Sequence, residues 1–191
     1  MATSPHPDGF PDRLVAEALA AARALPLPTP VFAIAGLQGS GKSTLAAQVA
    51  ARARSEGLRV AVLSLDDLYL TRAQRQRLAL DVHPLLATRG PPGTHDVVRG
   101  CQVLDALRKG EDVVLPRFDK LADDRTREDA WTHIMGRVDL VLFEGWCLKA
   151  APEDEKALAT PLNALERDED ADGRWRRYCN DALRRDYPAL W

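Results

Sequence analysis

The 191-residue chain sets 26 Lys and Arg against 28 Asp and Glu, a formal net charge of -2. That balance gives no electrostatic footprint for nucleic acid or an anionic membrane and points to a small-molecule partner. The three cysteines, Cys101, Cys147 and Cys179, are odd in number and form no C-x-x-C pair, which argues against a disulfide framework or zinc site and for a reducing, cytoplasmic setting. No run approaches the ~18 apolar residues of a membrane span, and the opening MATSPHPDGF lacks the regions of a signal peptide.

A chain of this length suits one α/β domain. Residues 1–10 carry Pro5, Pro7 and Gly9 among polar residues and read as loose. From Pro11 to Leu25 the apolar positions Leu14, Val15, Ala18, Leu19 and Ala22 fall at helical spacing, so residues 1–30 are expected to be an extension with one helix. Pro26, Pro28 and Pro30 end that helix and deliver an extended chain to a strand at Val31.

Val31 to Thr44, VFAIAGLQGSGKST, organises the rest of the chain. Gly36 to Ser43 satisfies G-x-x-x-x-G-K-[ST], the Walker A pattern, between an apolar strand and the start of a helix. Glycines are required because backbone N–H groups must turn inward around phosphate oxygens with no side chain in the way. Gly36, Gly39, Ser40, Gly41, Lys42, Ser43 and Thr44 are therefore the expected nucleotide contacts. Lys42 supplies charge to the β and γ phosphates, Ser43 a hydroxyl to Mg²⁺, and the helix from Lys42 to about Ser55 its positive end. A nucleoside triphosphate with Mg²⁺ is therefore the implied ligand of this stretch.

Arg59 to Leu65 reads as a buried parallel strand ending in Asp66-Asp67, and Thr71 to Leu80 as a helix. His83 to Thr94 holds three prolines and two glycines and reads as an ordered functional loop, closed by His95-Asp96. A helix comes next, from Val97 to Lys109, then a short strand from Val113 to Phe118. Val138 to Phe143 is another buried strand, with Glu144 directly after it. Beyond Pro152 the chain is charged and helical, with an acidic run from Glu166 to Asp172 and the basic segment Arg174 to Tyr178, read as a solvated face.

In α/β sheets ligands gather at the carboxyl ends of strands, so the Walker loop, Asp66-Asp67 and Glu144 are expected in one crevice. Glu144 resembles a Walker B acid that holds Mg²⁺, with an acidic helix cap as the bland alternative. Asp66 and Asp67 are candidates for the base that accepts a substrate hydroxyl proton, or are strand-end caps. Asp66 is also counted with Ser43 and Glu144 as a metal contact.

At Ser64-Leu65-Asp66-Asp67-Leu68-Tyr69 the sequence resembles the P-loop kinases of small metabolites, the uridine kinase, phosphoribulokinase and pantothenate kinase group. With Arg89 to Asp96, Leu115 to Lys120 and Phe143 to Leu148, it looks most like the D-glycerate 3-kinase family from about Val31 to the end. The resemblance implies a P-loop NTPase domain over 31–191, a parallel sheet sandwiched between helices, and ATP-dependent phosphorylation of a small hydroxyacid, with D-glycerate foremost. It places Asp66 at the catalytic aspartate, with Asp67 second, beside Lys42. It also implies an acceptor pocket lined by Arg89, His95, Asp96, Arg117 and Lys120, whose cations suit a carboxylate. Kinases of nucleosides or pantothenate are the enzyme alternatives. A nucleotide switch without phosphotransfer is another, although N-K-x-D is absent and the one D-x-x-G follows no apolar strand.

Two departures from the family pattern stand out. Lys149 occupies a position where a glycine is expected after Trp146-Cys147-Leu148, and the late strands that would flank the Walker A strand have no sequence before Trp191. The expectation is a form shortened at the C-terminus, with one open edge on Val31 to Ala35 that invites self-association.

Overall fold

The computed structural model describes residues 9–26 and 28–191. The expectation of a loose start falls mainly on residues 1–8, outside the described residues. The chain divides into two compact units, one of residues 1–65, 102–115 and 131–148, the other of residues 66–101, 116–130 and 149–191.

The first unit holds the sheet. Strands β1 (Val31–Ala35), β2 (Val60–Ser64) and β7 (Leu140–Gly145) lie in the order β1-β7-β2, all parallel, with helices α1 (Asp12–Arg23) and α2 (Lys42–Ser55) against them. The amphipathic spacing of α1 buries Val15, Leu19 and Ala22, which join Val49, Ala50 and Ala53 of α2 and Val60, Leu140 and Leu142 of the sheet in one apolar cluster. Val141 and Phe143 point to the opposite face by strand alternation and are equally buried, which accounts for the continuous apolar run of β7. This is the P-loop NTPase arrangement of a parallel sheet flanked by helices. Among the described residues β1 pairs with β7 only, so Val31 to Ala35 is an edge.

Two strands differ from the sequence expectation. β7 begins two residues later and runs through Glu144 and Gly145, because Val138 and Asp139 serve as anchors: the Val138 carbonyl accepts from Thr29 Oγ1 and the Asp139 carboxylate from the Arg59 N–H. Glu144 thus lies inside the strand rather than after it, which removes the helix-cap reading. The expected strand from Val113 to Phe118 is broken at Pro116, which has no N–H for a ladder. Val113–Leu115 is β3, antiparallel to β6 (Thr132–Ile134), both in the first unit.

In the second unit Phe118–Asp119 is β4, antiparallel to β5 (Asp124–Arg125). Helix α3 (Arg72–Asp81) opens with a capping box between Thr71 and Gln74, close to the expected bounds. A 3₁₀ turn, Pro84–Ala87, lies within the proline-rich loop, and short α5 (Ala164–Glu169) and α6 (Arg174–Arg185) complete the unit. Helix α4 (Val97–Lys109) has the expected bounds, with its first residues in the second unit and the rest in the first. Among the described residues no helix is long and apolar enough to cross a membrane.

Candidate functional site

The phosphate loop of the first unit runs from the end of β1 to the start of α2. Gly41 stands at the N-cap of α2 with φ 85°, in the left-handed region that favours glycine. At Gly36 a Cβ would sit 2.9 Å from Ser40 Oγ, so a side chain there would fill the inside of the loop. Lys42 Nζ donates to the Leu37 carbonyl at 3.1 Å, folding the ammonium over the loop's own backbone.

Glu144 lies beside this loop. Its Oε1 accepts from Ser43 Oγ at 3.0 Å and from Ser64 Oγ at 2.6 Å. Parallel register sets Ile34, Glu144 and Ser64 in one row across β1, β7 and β2, so Ser64 is carried to the carboxylate by strand pairing. Glu144 is 5% exposed and has no cationic partner among the described residues. A buried carboxylate held by two hydroxyls and no counter-charge, with hard oxygen donors around it, fits Mg²⁺. Sequence reasoning found Ser43 and Glu144 but passed over Ser64, because its role depends on which strand lies beside it.

The acidic pair sits in the second unit, within a 3₁₀ turn at Leu65–Leu68 that continues from β2. Asp66 Oδ1 accepts from Tyr69 Oη at 3.0 Å and Oδ2 from Lys120 Nζ at 2.6 Å. Burial opposes its ionisation, yet the Lys120 ammonium and the Tyr69 hydroxyl outweigh it, and the carboxyl titrates below its ordinary value. Asp67 behaves oppositely. Its Oδ1 accepts the Phe118 N–H at 3.0 Å and its Oδ2 meets Arg117 Nη1 at 3.2 Å, but burial dominates and raises its pKa. Asp67 thereby pins the turn to β4.

The other expected acceptor residues have varied surroundings. His95 is buried, stacks on Tyr69 at 4.5 Å between ring centroids and bonds through Nδ1 to the Tyr187 hydroxyl. Burial lowers its pKa to about 3, so it is neutral, and its Nε2 is buried without a partner among the described residues. Asp96 caps α4 through the Arg99 N–H at 3.0 Å and pairs with Arg125 at 3.1 Å. Arg89 pairs with Asp123, as does Arg75, whose fully buried guanidinium also donates to the Leu70 and Ala87 carbonyls. Lys120 and Arg117 are thus brought to Asp66 and Asp67, whereas Arg89 and Asp96 are held by groups that sequence reasoning did not single out, Asp123 and Arg125. Arg176 of the basic segment is buried on Asp170 and the Leu158 carbonyl, a structural role; Arg174 is exposed and paired with Asp172. Lys149 takes φ 57°, so the backbone there is the one a glycine would adopt.

No family model matches the chain. The uncharacterized kinase mug58 of Schizosaccharomyces pombe is 38% identical over 138 residues, 68% of this chain and 50% of that protein. The chloroplastic D-glycerate 3-kinase of Arabidopsis thaliana is 32% identical over 159 residues, 76% of this chain and 35% of that protein. The structure of D-glycerate 3-kinase from Cryptococcus neoformans superposes with a TM-score of 0.66 at 28% identity, covering 94% of this chain and 67% of that one. By sequence and by fold the chain is a relative of the D-glycerate 3-kinases. It spans half the length of the yeast relative and about a third of the plant one.

Proposed function

We propose that the chain is an ATP-dependent kinase that transfers the γ-phosphoryl group to a hydroxyl of a small hydroxyacid, D-glycerate being the favoured acceptor. The observation that carries this reading is Glu144, buried, bound by Ser43 and Ser64, and without a cationic partner among the described residues beside a phosphate loop. The named family relatives support the acceptor class.

In this mechanism the loop from Gly36 to Thr44 cradles the phosphates, and Lys42 leaves the Leu37 carbonyl for the β and γ oxygens. Ser43 and Glu144 would hold Mg²⁺, which would supply charge neutralisation to the phosphates. Asp66 accepts the proton of the acceptor hydroxyl. Its role as base fits better than a role at the metal, since its carboxylate is charged, half-buried and partnered by Lys120 and Tyr69. Asp67 is the weaker choice because a backbone N–H engages it. Arg117 and Lys120 offer cations to the acceptor carboxylate. His95 Nε2, buried and without a partner among the described residues, is a further polar atom available to the acceptor.

The test is a panel in which the chain, ATP and Mg²⁺ are incubated with small hydroxyacids, neutral polyols, nucleosides and pantothenate, and phosphorylated products are read by mass spectrometry. Phosphoglycerate as the main product is expected. Phosphorylation of a nucleoside or pantothenate in preference to every acid contradicts the reading.

A further inference from the structure

Two aromatic rings and a hydroxyl, all of the second unit, fix the ring of His95. Tyr69 stacks on it at 4.5 Å between centroids, and the fully buried Tyr187 meets it edge-on at 5.7 Å. The Tyr187 hydroxyl bonds to His95 Nδ1 and also accepts the Gly93 N–H at 3.1 Å, so one oxygen ties the imidazole to the backbone of its own loop. That backbone is held from the other side, where the Leu70 N–H donates to the Thr94 carbonyl at 2.9 Å and the Asp96 N–H to the Leu68 carbonyl at 2.7 Å. The ring nitrogen that this clamp does not use is Nε2, buried and without a partner among the described residues. A buried polar atom without a hydrogen bond costs free energy, which a well-placed ligand atom recovers. Burial keeps the ring neutral, with a pKa of about 3, so Nε2 offers no charge to a carboxylate. A neutral imidazole has one donor and one acceptor nitrogen, and a hydroxyl can serve either. The ligand group that matches Nε2 is therefore a hydroxyl.

We propose that His95 Nε2 binds the acceptor hydroxyl that is not phosphorylated, and that Tyr187 is the positioning residue that turns Nε2 towards it. The inference rests on the proposed kinase reading and narrows its acceptor class from a hydroxyacid to a dihydroxy acid. In D-glycerate, with transfer to the terminal hydroxyl, the 2-hydroxyl is the one left for His95. An acid without that hydroxyl leaves Nε2 buried and unsatisfied, and a site built to bond a hydroxyl discriminates strongly against such an analogue. Tyr187 touches no acceptor atom in this account. It acts through the ring that it holds.

The experiment compares D-glycerate with 3-hydroxypropionate, which keeps the carboxylate and the terminal hydroxyl and lacks the 2-hydroxyl, for the 191-residue chain and its Tyr187→Phe variant. The wild-type chain is expected to favour D-glycerate by about tenfold or more in kcat/KM. Tyr187→Phe is expected to raise KM for D-glycerate and narrow that preference, with the constants for 3-hydroxypropionate close to wild type. A merely structural role would raise both KM values alike, and that result overturns the inference. Nitrogen NMR of the histidine rings gives a second reading that needs no variant. The His95 Nε2 signal of the wild-type chain is expected to move with D-glycerate and to stay in place with 3-hydroxypropionate. Equal kcat/KM for the two acids, or an Nε2 signal that does not respond to D-glycerate, overturns the inference and leaves the kinase reading standing. A wild-type chain that phosphorylates neither acid contradicts the kinase reading, and the inference falls with it.

Discussion

Ser64 and Glu144 are register partners across two parallel strands, and the Ser64 hydroxyl donates to Glu144 Oε1 at 2.6 Å. The same oxygen accepts from Ser43 at the head of the Walker helix, so a carboxylate in the middle of the sheet joins the phosphate loop to the end of β2. Partners that fix the orientation of a metal-binding carboxylate typically matter roughly 10- to 100-fold in metal affinity. Ser64→Ala should raise the Mg²⁺ concentration needed for tight ATP binding by about tenfold, whereas Ser64→Thr should retain it. Calorimetric titration of ATP at several Mg²⁺ concentrations checks this, and an unchanged Mg²⁺ dependence counts against the role.

Lys42 is half-buried and its ammonium donates to the Leu37 carbonyl of the loop. Lys42→Ala should abolish turnover and leave the thermal midpoint close to wild type. Turnover near the wild-type rate would contradict the assignment of the loop.

Asp66 and Asp67 should separate by readout. Asp66→Asn is expected to lower kcat by about a hundredfold or more with little change in ATP affinity, because it removes a base that acts in the transition state. Asp67→Asn is expected to cost stability more than rate, since it weakens the bond from the Phe118 N–H. A larger kcat loss in Asp67→Asn would exchange the two roles.

His95 makes stability depend on pH. Its folded pKa of about 3 lies below the ordinary 6.5, so between those values the unfolded chain binds a proton that the folded chain does not. Stability therefore falls as pH drops from 6.5 towards 3, by up to about 5 kcal/mol at the lower end. Urea unfolding across that range should show the loss in wild type and a flatter profile in His95→Gln. Equal slopes for the two would refute the assignment.

Arg75 is fully buried and tied to Asp123, to two loop carbonyls and to the face of the Phe118 ring at 5.4 Å. Arg75→Met should destabilise the chain by about 1–3 kcal/mol, the cost of leaving the Leu70 and Ala87 carbonyls without their donor, since Asp123 is part-exposed and keeps Arg89. A loss below about 1 kcal/mol, the range of exposed pairs, would show that the network contributes little.

These residues mark how far the sequence could be read. Strand β1 and helices α2 and α4 have the expected bounds, because the Walker A pattern and the apolar spacing of α4 are local signals. The phosphate loop and Glu144 were legible for the same reason. The break at Pro116 lies in the sequence too, yet only the separate pairing of β3 and β4 shows its consequence. Ser64, Tyr69, Arg75 and Arg125 were not legible as partners of Glu144, Asp66, Asp123 and Asp96. Their meaning depends on contacts between residues far apart in the chain, apart from the local Tyr69–Asp66 bond. Arg75 in particular is charged, and charged residues are almost never fully buried unless paired.

The most direct measurement of the central claim tracks the phosphorus itself. With γ-labelled ATP, Mg²⁺ and D-glycerate, the account predicts that label appears on glycerate at the rate ADP forms, and that Lys42→Ala and Asp66→Asn abolish or strongly reduce it. Label released only as inorganic phosphate, or transferred at the wild-type rate by both variants, would contradict it.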